Sequence, residues 1–159
     1  MAGYLFPFEK LDVWQLSVEL ADTVLELLEK LPQNKHIRLI SQMQAAVTSV
    51  PQNIAEGKGR QYKKEFIQFL YIARGSIFEV VALSELFKRR SLFSEDDSNE
   101  IRKRCEEVDR KLNGLINSLR GKKKNRSGRE AEDKDSGYEW QEPEEYIQGS
   151  KGTKDRYVD

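Results

Sequence analysis

An all-α fold, an antiparallel up-down-up-down four-helix bundle, is what this 159-residue sequence predicts, and three observations predict it. Apolar residues in the first 120 positions recur at alternating steps of three and four residues, in four separate blocks. Each block stops at proline, glycine or a basic cluster, the signals that end helices. The connections between blocks are short, which sets consecutive helices side by side and antiparallel. No alternation of the kind that marks a strand competes with this pattern.

The first block steps through Trp14, Val18, Ala21, Leu25 and Leu28 and stops at Leu31-Pro32. The second runs through Ile37, Ile40, Met43, Val47, Val50 and Ile54 to Gly57 and Gly59, where a left-handed glycine is expected to close the helix. The third holds a strict alternation, Phe66, Leu70, Ala73, Ile77, Val80, Ser84 and Phe87, and Lys88, Arg89 and Arg90 then complement the negative helix end. The fourth begins at Ser94, whose hydroxyl can cap backbone amides while Asp97 reaches back. It continues through Ile101, Cys105, Val108, Leu112, Leu115 and Leu119 to Gly121.

Charge divides the chain into a bundle, residues 1–120, and a charged flexible tail, residues 121–159. The totals balance at 27 basic and 27 acidic side chains, which argues against a strongly basic nucleic-acid binder. The tail opens with Lys122, Lys123, Lys124, Arg126 and Arg129, then turns acidic from Glu130 onward. Only Ile147 and Val158 represent Leu, Ile, Val and Phe in it, too little apolar surface to offset the entropy of ordering. Unbroken apolar runs such as Val80 to Leu83 fall far short of the roughly 20 residues of a spanning helix. The N-terminus also lacks a basic flank and apolar core, so the expectation is a cytoplasmic protein with no membrane partner. Cys105 stands alone, which excludes an intramolecular disulfide and a thiolate metal cluster.

Two helices carry more apolar surface than one core requires. Leu16, Leu20 and Leu27 flank the first stripe, and Ile67, Tyr71 and Phe78 flank the third, which predicts an oligomer interface. A broad internal face is the alternative reading. Pro51 sits inside the second helix, where it removes one backbone donor and pushes away the Val47 carbonyl, at a typical cost of about 3 kcal/mol. Thr48, Ser49, Gln52 and Asn53 are expected to bond the freed groups. Ser49, Asn53 and Glu56 on the second helix, with Arg74, Ser76 and Glu79 on the third, are expected to form a polar network, with Gly75 allowing close backbone approach.

These residues also carry a resemblance: Gln42, Ala46, Ser49, Pro51, Asn53-Ile54-Ala55-Glu56-Gly57 and Arg60, then Glu65-Phe66, Leu70, Ala73-Arg74-Gly75-Ser76 and Glu79. With the opening Phe8-Glu9-Lys10-Leu11-Asp12-Val13-Trp14 and the late Leu112-Asn113-Gly114-Leu115, the chain resembles the four-helix bundle family of 23S rRNA intervening-sequence proteins over roughly residues 6 to 120. The resemblance implies a ring-like homo-oligomer, typically a homopentamer, without known catalysis. It brings in RNA or DNA as a partner, because the accessory protein of diversity-generating retroelements is similar in fold. Family members often carry a basic pair where this chain has Gln44-Ala45.

The candidate nucleic-acid contacts are Lys58, Arg60, Lys63 and Lys64, then Lys88, Arg89 and Arg90, then Lys122, Lys123 and Lys124, with Arg102, Lys103 and Arg104 offset by acidic neighbours. Solvated charge at helix ends is the competing reading. A protein-interaction scaffold is the alternative function, and the acidic aromatic segment Tyr138 to Ile147 is a candidate docking element. Catalytic, cofactor and metal residues are not expected. His36 is the only histidine, no helix has Glu-x-x-His, and Glu56 to Arg60 lacks phosphate-loop spacing.

Overall fold

A computed structural model describes residues 3–121, and the expectations placed on 122–159, including Lys122 to Lys124 and Tyr138 to Ile147, lie outside the described residues. A short 3-10 turn, Pro7–Lys10, leads into α1 (Asp12–Glu29), α2 (Ile37–Lys58), α3 (Lys63–Arg89) and α4 (Glu95–Leu119). No strand occurs among the described residues. The helices pack around a square, α1 and α3 each against α2 and α4, while the diagonal pairs stay apart. Connections 30–36 and 90–94 therefore lie at one end of the bundle. The 59–62 turn, the start of α1 and the close of α4 lie at the other.

Local chemistry explains the boundaries. Ser94 Oγ accepts the Asp97 N–H at 3.0 Å, and an Asp97 carboxylate oxygen accepts the Ser94 N–H at 3.2 Å, so the start of α4 satisfies two otherwise orphaned donors. Gly121 follows α4 at φ 71°, in the left-handed region that suits glycine. The expected left-handed close of α2 does not form: Gly59 is right-handed at φ −80°, and Gly57 lies within the helix. Gly57 has a different reason to be glycine. A Cβ there would lie 2.5 Å from Phe69 Cβ and 2.9 Å from Phe66 Cδ2, so it is the point where α2 and α3 close on each other. Gly75, expected to play that part, is exposed with nothing within 4 Å of a notional Cβ.

The core follows the predicted stripe of α3 throughout and those of α2 and α4 in the main, with Ile37 exposed and with Ile116 buried where Leu115 and Leu119 are only half-buried, but it departs from that of α1. Val13, Ser17, Leu20, Ala21, Val24 and Leu28 are buried on α1, whereas Trp14 and Leu25 are half-buried and Val18 is exposed. The buried face is rotated by about one position because α1 is apolar around most of its circumference and two phases fit its pattern equally. Ser17 is accommodated inside by donating its hydroxyl to the Trp14 carbonyl at 2.6 Å. At the 90–94 end, Phe87 and Phe93 lie 4.6 Å apart and close the core.

Helix α3 differs from its neighbours in length and composition. Its 27 residues contain an 18-residue stretch of mean hydropathy 1.5, enough by those two measures to span a bilayer, with only 33% of that stretch buried in the bundle. Counting unbroken runs misses this because Arg74 and Glu79 interrupt them. One face of α3, Phe66 to Phe87, packs into the core, and Tyr71, Ile72, Phe78 and Leu86 are exposed on the rest of the helix.

Candidate self-association face and nucleic-acid interface

Three of the six residues expected in the polar network meet between α2 and α3. Ser49 Oγ and Ser76 Oγ are 2.9 Å apart, and the Asn53 amide donates both to Ser49 Oγ at 2.9 Å and to the Ser49 carbonyl at 2.8 Å. Ser76 also donates to the Ile72 carbonyl at 3.2 Å. Each bond contributes about 0.5–1.5 kcal/mol net, and their fixed geometry ties the register of α2 to that of α3. Thr48 donates to the Gln44 and Ala45 carbonyls, one turn back from Pro51. Gln52, exposed, makes no side-chain hydrogen bond among the described residues, nor does any side chain there bond the Val47 carbonyl.

The other three residues of the expected network lie elsewhere. Glu56 faces outward and pairs with Arg60 one turn on, Glu79 is exposed, and Arg74 turns to α4. Arg74 Nε donates to Asp109 at 2.9 Å, Asn113 donates to the second Asp109 oxygen at 3.1 Å, and the Arg74 guanidinium lies 5.0 Å over the Phe78 ring. This half-buried cluster locks α3 to α4. Positions 74 and 109 carry no shared motif, so only tertiary packing reveals the pair.

The expected interface residues also separate. Leu20 is fully buried in the core and offers no surface, which removes it from the interface: its phase on α1 is the core phase. Leu16, Leu27 and Ile67 are half-buried against the core. Phe78, 54% exposed, and Tyr71, 39% exposed, do face outward. They have companions outside the expected set, Ile72 at 52% and Leu86 at 43%. Ile72, Gly75, Glu79, Ala82 and Leu86 repeat at helical steps along one outer line of α3, a signal available in the sequence but masked by the stronger core stripe.

The cations divide between the two ends of the bundle. Lys88 and Arg89 lie at the 90–94 end, where Arg89 bonds Glu85 at 2.9 Å and Lys88 bonds it at 3.1 Å, with Glu95 3.7 Å from Lys88. Arg89 and then Lys88 hold the Glu85 carboxyl below its ordinary range. Arg90 is exposed nearby. Lys58, Arg60, Lys63 and Lys64 flank the 59–62 turn at the opposite end, all exposed. Only Arg60 has a carboxylate partner among the described residues. Lys58 lies 5.5 Å over the Phe66 ring and Arg60 4.7 Å over Phe69, so the core aromatics seat these cations without neutralising them.

Two further features bear on chemistry. A cavity of about 40 Å³ between α3 and α4 is lined by Val81, Ser84, Glu85, Lys88, Ser98, Asn99 and Arg102, with the Ser84 and Ser98 hydroxyls buried and without a hydrogen-bond partner among the described residues. Its size and polar lining match water rather than a larger ligand. Cys105 is buried on α4, and burial pushes its thiol up to about 12, which makes it a packing residue and not a nucleophile. No group of three or more His, Cys, Asp or Glu side chains is arranged to hold a metal among the described residues. His36 is exposed at the start of α2, at φ 56°.

The family model for the 23S rRNA-intervening sequence protein matches residues 9–114, well over half the chain. The chain belongs to that family. Its match spans the bundle from the turn before α1 to the later part of α4. A crystal structure of a protein of unknown function from the S23 ribosomal protein family of Bacteroides thetaiotaomicron is similar, at 25% identity and a TM-score of 0.61. The similarity covers 65% of this chain and 97% of that one. No curated protein matches the chain. Membership in the intervening-sequence family makes this a small helical bundle protein and agrees with the fold described above.

Proposed function

We propose that this protein is a non-catalytic cytoplasmic bundle that self-associates through the outer face of α3, and that the assembly presents the lysines of the 59–62 turn to RNA or DNA phosphates. The observation that carries this reading is the second apolar face of α3, with Tyr71, Ile72, Phe78 and Leu86 exposed on a helix hydrophobic enough to be buried on all sides. A second copy covering that face is the simplest way to remove it from water. The family resemblance points to a ring, with five subunits the expected number. Repetition around a ring multiplies whatever each copy presents, and Lys58, Lys63 and Lys64 gain most because no described carboxylate neutralises them.

Light scattering on the full chain tests the first half: a mass of several subunits is expected, and Phe78→Glu should return it to that of one chain while the helical circular dichroism is kept. A stable monomer at micromolar concentration would sink the self-association reading and leave the outer face to a different protein. Electrophoretic shift at low salt tests the second half. Replacing Lys58, Lys63 and Lys64 together with glutamine should abolish binding, whereas replacing Arg90 should leave it within about twofold.

A further inference from the structure

We propose that the ligand of the 59–62 end is a single-stranded nucleic acid, with exposed aromatic rings stacking on unpaired bases beside lysines that contact phosphate. This rests on the phosphate-contact reading above and adds what kind of strand is held. Three observations carry it.

The first is charge. The described carboxylates near this end are each engaged locally: Glu9 with the Phe6 N–H at 2.6 Å, Asp12 with Lys111 at 3.5 Å, Glu56 with Arg60, and Glu65 with the Tyr62 N–H at 3.2 Å. Lys58, Lys63 and Lys64 keep their charge toward solvent, which complements a phosphate backbone. The 90–94 end shows the reverse, with Glu85 and Glu95 on Lys88 and with Glu95, Asp96 and Asp97 opening α4. Lys58, Lys63 and Lys64 thus form a run of lysines without carboxylate partners among the described residues, whereas Lys88 and Arg89 at the other end are paired.

Exposed aromatics at the same end are the second. Tyr62, immediately before α3, is 63% exposed. Tyr4, Phe6 and Phe8 ahead of α1 and Trp14 in its first turn form a ladder of rings, 5.2 Å, 5.9 Å and 5.0 Å apart in turn, rooted where Phe8 and Trp14 are half-buried. It ends in solvent, with Phe6 at 55% and Tyr4 at 80% exposed. The 3-10 turn within this ladder packs on both α1 and α2, which holds it to the end where α2 gives way to the 59–62 turn.

Geometry of the ligand is the third. A duplex buries its base faces in its own stack and offers side chains chiefly edges and phosphates, so an exposed ring gains a base face there only by wedging a step open at an unstacking cost. An unpaired strand offers a face from every base, and each stack on an aromatic ring contributes independently of sequence. Lysines and open rings at one end therefore select the single strand.

Fluorescence anisotropy on the full chain, with a short unstructured RNA strand and the same strand annealed to its complement, tests the proposal. The single strand should bind at least tenfold more tightly than the duplex. Tyr62→Ala and Phe6→Ala should each weaken single-strand binding by about fivefold to a hundredfold, the range for one lost base stack, with Tyr62→Phe retaining affinity. Duplex binding and the mass by light scattering should not move. Lys63→Gln should weaken both ligands and reduce the salt slope for the single strand by about 0.7. Equal affinity for strand and duplex, or aromatic variants that lose nothing, would overturn the single-strand proposal while leaving the phosphate reading standing. Aromatic variants that change the mass instead would assign the rings to a subunit contact and overturn it. Failure of both ligands to bind at low salt would overturn both.

Discussion

Helix α3 has two apolar faces, and the bundle covers only one of them. Its inner face, Phe66, Leu70, Ala73, Ile77, Val80 and Phe87, is buried, and it keeps Ser76 and Ser84 inside as well. Its outer face carries Tyr71, Ile72, Phe78 and Leu86 around Gly75 and Ala82, all exposed, with Glu79 as the charge among them. The inner face is the one that the four-helix fold uses, and the outer one has no use in a single chain. A helix that is hydrophobic on opposite sides is stable in water only when something covers both. Inner residues should therefore set the stability of each chain, and outer residues the stability of the proposed assembly.

The largest expected difference is between Leu70 and Phe78. Leu70→Ala removes a fully buried side chain and should lower unfolding free energy by about 2–5 kcal/mol in urea titrations, at any protein concentration. Phe78→Ala should change a dilute chain by no more than about 0.5 kcal/mol. At high concentration it should cost more, since subunit binding adds to apparent stability by mass action. Equal, concentration-independent losses would erase the distinction between the faces.

Gly57→Ala comes next. In an exposed helix interior this change gains about 1 kcal/mol, but here the added carbon meets Phe69 Cβ at 2.5 Å and Phe66 at 2.9 Å. Phe69 Cβ is fixed to the α3 backbone and cannot swing away, so the helices must separate. A loss of about 1–3 kcal/mol is expected, together with weaker α2–α3 protection in amide exchange.

Cys105 probes the inner side through pH. Its thiol is raised from 9.0 to about 12 by burial, so the folded state keeps its proton where the unfolded chain gives it up. That contribution is complete below about pH 9 and is lost as pH rises from about 9 toward 12. Between pH 8 and 10 the parent chain should lose on the order of 1 kcal/mol more than Cys105→Ala, the comparison cancelling the titration of lysines and tyrosines. Parallel pH profiles would place the thiol in a wetter environment.

Much of this organisation was legible in the residues. Ser94 and Asp97 announced the start of α4, Gly121 its close, and the alternation from Phe66 to Phe87 the core side of α3, because caps and periodicity act within a few residues along the chain. The phase of α1 was not legible. With apolar residues at 13, 14, 16, 18, 20 and 21 either face could turn inward, and the neighbouring helices decide which. Arg74 and Asp109 eluded sequence reading for a related reason, as 35 positions separate them and each alone is an ordinary surface charge. The exposed Tyr62 and Phe6 look like core aromatics by composition, and only their places in the fold distinguish them from Phe66.

Gly75 supplies the smallest and most discriminating change. It is exposed in mid-helix with open space around it, and Gly114 on α4 is in the same condition. For a dilute single chain, Gly75→Ala and Gly114→Ala should each gain about 0.5–1 kcal/mol, since alanine loses less backbone freedom on folding. In the assembly the two should part. Gly75 lies on the outer line between Ile72 and Glu79, where a partner subunit can approach the bare backbone, so the added methyl should weaken association and reverse the gain as concentration rises. Gly114, beside Arg110 and Lys111 on a polar helix face, should keep its gain throughout. Concentration-dependent melting of the two variants reads the difference, and a gain for Gly75→Ala that persists in the assembled state would show that the subunit contact does not run over the middle of α3.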